Sequence, residues 1–105
     1  MNKIYSILGL CMRAGKVASG ADVCIENIKK GIAFLIIVAE DASPKTIEKF
    51  EYFSKEYDVK LVRCGEIDGL SRAIGKDNKA IFTILDEGFS KKIIELVEEL
   101  KGAIK

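Results

Sequence analysis

A chain of 105 residues with 49% hydrophobic and 31% charged side chains can bury one core without disulfide or metal staples and is too apolar to remain disordered. Its net charge of +1 creates no global field for nucleic acid or membrane, so a polyanionic partner would have to be met by a local patch. The lack of histidine and the odd count of three cysteines, with no CxxC pair, argue against a metal centre, a disulfide framework or a cofactor, and for a reduced cytoplasmic setting.

From Asn2 to about Ala14, Ile4, Ile7, Leu8, Cys11 and Met12 share one helical face, and Gly15 stops the helix. Lys3 before an apolar run invites comparison with a signal peptide. Arg13 and Lys16 break the approach to a cleavage site, however, and no apolar run nears the ~20 residues that span a bilayer. Val17 to Ser19 predicts a short edge strand. Ser19, with Asp22 three residues on, resembles a capping box for a second helix, whose apolar stripe is Ala21, Cys24, Ile25 and Ile28. Gly31 follows Lys29 and Lys30 where such a helix needs a left-handed residue. Ala33 to Ala39 is apolar without alternation, the pattern of a central strand covered on both faces. Ser43 and Pro44 then predict the N-cap and first position of a third helix. That helix turns Ile47, Phe50, Phe53 (or Ser54) and Tyr57 inward and presents a charged outer face.

Val59 to Cys64 reads as a short strand, with Val59, Leu61 and Arg63 on the side away from Lys60 and Val62. Ile67, Leu70 and Ile74 mark a short fourth helix closed by Gly75, and Lys76 to Lys79 form a polar loop. Ala80 to Leu85 is another buried strand. Phe89, Ile93, Leu96, Val97 and Leu100 line the inner face of the last helix. This alternation predicts an α/β protein: a three-layer α/β/α sandwich around a small, largely parallel, mixed sheet of about four strands, with residues 1–105 as a single domain.

Motifs for catalysis fail on spacing or on partners. Gly9 to Val17 imitates a phosphate-binding loop, yet it has five residues between its glycines where four are needed. It also carries Val17 where a magnesium-binding hydroxyl belongs. Glu40 and Asp41 follow the central strand, where ligands collect in open α/β sheets. Without histidine or a nucleophile–base pair, the better expectation is that Asp41 or Ser43 caps the third helix and that the protein is not an enzyme. Cys64 beside Gly65 is more readily structural than a reactive thiol, since Arg63 alone could lower its pKa. The N-terminus of the second helix offers free N–H groups and partial positive charge, which suit a phosphate or an electronegative base edge.

With these elements placed, the chain resembles the ribosomal-protein L-seven-Ae / L-thirty-e superfamily of kink-turn RNA binders, in its small bacterial YlxQ-like branch. The resemblance rests on Leu8-Gly9-Leu10 with Arg13-Ala14-Gly15-Lys16, then Ser19-Gly20, then Gly31-x-Ala33-x-Leu35 with Val38-Ala39-Glu40-Asp41-Ala42-Ser43. Leu70-Ser71-Arg72-Ala73-Ile74-Gly75-Lys76 and Asp86-Glu87-Gly88-Phe89 complete it over nearly the full length.

The resemblance implies an α/β/α sandwich in which the start of the second helix enters an RNA groove beside tandem sheared G·A pairs. The loop after Ala73-Ile74-Gly75 would hold a flipped-out nucleotide. The family pattern on the helix is Gly-x-Asn-Glu with a later Lys; here Gly20 matches, while Asp22, Val23 and Glu26 stand for Asn, Glu and Lys, and Ser71 stands for a Gly. The implied function is non-enzymatic binding of ribosomal or other structured RNA, with ribosome-associated proteins as further partners and no membrane. The expected RNA contacts are Lys16, Gly20, Asp22, Lys29, Lys30, Lys76, Asn78 and Lys79, the lysines meeting phosphates and Asp22 and Asn78 meeting base edges. The alternative is a protein-interaction module that keeps the fold and has lost RNA recognition.

Overall fold

The computed structural model describes residues 1–102. The elements run α1 (Asn2–Arg13), β1 (Val17–Ser19), α2 (Ala21–Lys29), β2 (Leu35–Val38), α3 (Pro44–Tyr57), β3 (Leu61–Arg63), α4 (Ile67–Ala73), β4 (Ile81–Ile84) and α5 (Glu87–Gly102). The four strands form one sheet in the order β1-β4-β2-β3. Every residue of β2 and β4 is buried, as their unbroken apolar runs require of interior strands with helices on both faces. α2 and α3 pack together against the sheet on one side, and α1, α4 and α5 form the other layer.

The sheet is mixed, but the expectation that it is largely parallel is corrected. β4 runs antiparallel to both β1 and β2, and β2–β3 is the parallel pair. The α3 crossover carries the chain back so that β3 runs in the same direction as β2. β4 enters from the opposite end and wedges between β1 and β2, a choice of edge that periodicity does not report.

Local signals set most element ends. Ser43 caps α3 by accepting from Thr46 N at 3.2 Å, with Pro44 in the first turn. Gly31, at φ 76°, closes α2: its N–H returns to Ile28 O and that of Ile32 to Asn27 O. Other expectations fail where tertiary contacts claim the residue. Ser19 does not cap α2: it pairs with Phe82 inside β1, and Gly20 holds the N-cap position at φ 93°. Asp41 does not cap α3 either; its Oδ1 accepts from Ile67 N at 2.8 Å and so caps α4. In β3 the buried residue is Val62, with Leu61 and Arg63 half-exposed. Tyr57, Met12 and Leu100 lie outward rather than inward, because each sits near a helix end beyond the reach of the core.

A buried polar relay fixes α2 on the sheet. Asn27 Nδ2 donates to Thr83 Oγ1 at 3.3 Å. Thr83 Oγ1 lies 3.5 Å from Cys24 Sγ, which in turn faces Ile81 O at 3.7 Å. Buried amides are stable only when paired, so this pairing allows α2 few positions along β4.

Candidate nucleic-acid interface

One end of the sheet gathers the turn after β1, the loop before β4 and the exit from β2. Gly20 N donates to Ile81 O at 3.0 Å, and Ala39 N to Ala80 O at 2.9 Å. The N-terminus of α2 is thereby held against the start of β4. At Gly20 the backbone needs the positive φ that a side chain disfavours. A Cβ there would lie 3.7 Å from Lys79 Nζ, so the ammonium stands directly beside the first turn of α2. Asp22 and Val23 project from that turn into solvent.

The loop from Lys76 to Lys79 is built by Ser71. This residue is 1% exposed, and its Oγ accepts from Lys79 N at 2.8 Å and donates to Lys79 O at 3.1 Å. Lys76 N returns to Ser71 O at 2.8 Å. Between these ties Asn78 takes the left-handed conformation at φ 52°, which asparagine tolerates better than most residues. Lys76 and Asn78 are exposed on the loop, with Lys79 at its root.

Of the eight residues expected at the site, Gly20, Asp22, Lys76, Asn78 and Lys79 lie at this end. Lys16, Lys29 and Lys30 lie at the other. Lys16 O accepts from Leu85 N at 2.7 Å, at the far end of β1 from Gly20. Lys29 and Lys30 close α2, roughly 13 Å from its start at 1.5 Å per residue. Lys30 Nζ binds Glu26 Oε1 at 2.7 Å, and this hydrogen bond and charge hold the Glu26 carboxyl below its usual range. Lys29 Nζ sits 5.9 Å over the Phe53 ring. The sequence does not mark Asn27 as functional and marks Ser71 only as the residue that stands for a Gly, although each is a polar residue set within an apolar helical stripe, which was the available signal.

Residues 2–94 match the family described as ribosomal protein L7Ae/L30e/S12e/Gadd45. The chain belongs to this family. It is 35% identical over 94 residues to the RNA-binding protein YlxQ of Bacillus subtilis, covering 90% of this chain and 94% of that one. It is 38% identical over 96 residues to the RNA-binding protein YlxQ of Enterococcus faecium, covering 91% and 92%. A solved structure of a Bacillus halodurans protein of unknown function superposes with a TM-score of 0.89 at 30% identity, over 93% of this chain and 99% of that one.

Members of this L7Ae/L30e family are binding proteins and not enzymes. Among the described residues, no three His, Cys, Asp or Glu side chains are grouped to hold a metal ion. Burial pushes the thiols of Cys11, Cys24 and Cys64 up to about 11, with Asp86 adding to the effect on Cys11 and Glu40 on Cys64. Neutral, enclosed thiols act as small apolar side chains at physiological pH. What the end of the sheet around Gly20 offers is a helix N-terminus, two lysines and an exposed asparagine, a set suited to phosphate and base-edge contacts. No helix among the described residues is long and apolar enough to cross a membrane.

Proposed function

We propose that this chain is a cytoplasmic RNA-binding protein, working as one domain and associated with the ribosome or its biogenesis. It would engage structured, kink-turn-like RNA through the N-terminus of α2 and the Lys76–Lys79 loop. The observation that carries the reading is the meeting of Lys79 Nζ with Gly20, which joins the helix N-terminus and the loop into one surface. The relatives named RNA-binding proteins support RNA as the ligand class.

In this reading Lys76 and Lys79 contact phosphates, and Gly20 admits a close backbone approach. Asn78 can donate to and accept from a base edge. Asp22 can only accept, so it selects an exocyclic amino group where the family's asparagine amide would also donate. Val23, 51% exposed, offers an apolar contact in place of a carboxylate.

The test is a titration of the protein with a kink-turn RNA over a range of salt. Phosphate contacts predict a log–log slope of about −2 to −4, and Lys79→Ala should make it shallower by ~0.7–0.9. Failure to retain any RNA, together with salt-insensitive binding of a protein partner, would overturn the reading in favour of a protein-interaction module.

A further inference from the structure

α2 has nine residues, and its buried side chains are Cys24, Asn27 and Ile28. Two of these three take part in the polar relay with Thr83, which is itself fully buried. Asn27 Nδ2 donates to Thr83 Oγ1 at 3.3 Å, Thr83 Oγ1 donates to Cys24 Sγ at 3.5 Å, and the thiol faces Ile81 O at 3.7 Å. Every proton runs the same way, and the relay ends on the carbonyl that also accepts from Gly20 N at 3.0 Å. Burial raises the Cys24 thiol to about 11, so this last link keeps its proton at physiological pH.

Stability alone does not call for such a relay. A buried hydrogen bond contributes little once the desolvation of both partners is counted, and an apolar pair of the same shape is often as stable or more so. What hydrogen bonds supply is direction, whereas apolar packing tolerates rearrangement. Direction matters here because of where the helix is hinged. Gly20, at φ 93°, ties the start of α2 to β4 through one backbone hydrogen bond. A single tie at a glycine leaves the tilt and rotation of the helix open. Asn27 and Thr83 supply a second tie, roughly 10 Å further along the axis. Both ties are made to β4, the strand into which Lys79 leads. Together they fix the direction of α2 and the aim of Asp22 and Val23, which project from its first turn.

We propose that Asn27 and Thr83 are positioning residues for RNA binding: their hydrogen bond, continued through Cys24, holds the first turn of α2 in a fixed orientation beside Lys79. This inference rests on the RNA-binding reading above. Neither residue touches RNA. Each acts through the placement of Asp22 and Val23, whose contacts need to be held to within about 0.5 Å.

The experiment separates stability from binding in the full chain, with a kink-turn RNA as the probe. The double change Asn27→Leu with Thr83→Val replaces both partners by apolar groups of similar size. It should keep or raise Tm and lower affinity by about tenfold, the equivalent of one misplaced contact. The salt slope should not change, because no charge is altered. Thr83→Ser does the opposite: it keeps the hydroxyl, loses a buried methyl, and should lower Tm while retaining wild-type affinity. In the free protein, 15N relaxation dispersion at the Asp22 and Val23 amides should be flat in wild type and in Thr83→Ser, and present in the double variant.

If the double variant does not fold, Asn27→Leu alone makes the same comparison, since Thr83 can still donate to Cys24; it should show the same loss of affinity. Wild-type affinity and flat dispersion in a folded variant without the tie would refute positioning while RNA binding stands. Affinity that follows Tm across all the variants would reduce the relay to a purely structural one and overturn the inference. If wild type binds no RNA, the reading beneath falls and takes this role with it.

Discussion

Ser71→Ala tests how the loop at the candidate site is held. The Ser71 hydroxyl makes two hydrogen bonds to the backbone of Lys79, at 2.8 and 3.1 Å, from a position 1% exposed. Alanine fits the same space and removes both. Two such bonds contribute about 1–3 kcal/mol net, while alanine returns up to ~0.5 kcal/mol in helix propensity within α4. The expected loss is therefore about 1.5 kcal/mol. For a domain of this size that lowers Tm by about 6–12 °C. Thermal unfolding followed by circular dichroism measures it, and hydrogen exchange should show the Lys79 amide protected in wild type and unprotected in the variant.

The functional consequence has a distinct signature. With the loop released, binding must again order Lys76 to Lys79, at a backbone cost of roughly 1–2 kcal/mol per residue fixed. Affinity for kink-turn RNA should fall by about tenfold or more. The salt slope should stay unchanged, because no charge has been removed. Lys79→Ala should do the converse and reduce the slope. A Ser71→Ala protein with wild-type Tm and wild-type affinity would refute the idea that this hydroxyl positions the loop. A reduced slope would show that the lysines, and not their placement, had been disturbed.

Restoring the family's groups on α2, by Asp22→Asn, Val23→Glu and Glu26→Lys together, should raise affinity for kink-turn RNA by roughly tenfold or more at about 1–3 kcal/mol per good contact. A matched RNA without the G·A pairs should gain less, and equal gains on both would indicate added charge alone. The same change breaks the exposed Glu26–Lys30 pair, so helix stability should drop slightly, measurable by urea unfolding. All three thiols should resist a neutral-pH thiol reagent in the native protein and react in denaturant, since all are buried. Their folded pKa is raised from 9.0 to about 11. The resulting stabilisation is fully present below pH 9.0 and is lost as pH rises through about 11; a Tm constant from neutral to strongly alkaline pH would contradict this.

The sequence by itself determined the identity of the elements and most of their ends. Helical stripes, the unbroken apolar runs of β2 and β4, Ser43 with Pro44 and the left-handed Gly31 are local signals. Each reports on what a segment buries or which backbone angle it needs, without reference to a distant residue. The five residues around Gly20 and the three lysines at the other end look alike in sequence, as polar or basic residues near helix ends and loops.

Tertiary structure alone separated them, through the antiparallel entry of β4 between β1 and β2. That pairing brings Lys79 to Gly20 and leaves Lys16, Lys29 and Lys30 at the other end of the sheet. It also sets Asn27 on Thr83, while the parallel β2–β3 pair sends Asp41 across to Ile67. The physical reason is that side-chain periodicity says which face of a strand is buried but not which strand lies on each edge. Edge choice is decided by hydrogen bonds and packing between residues far apart in the chain.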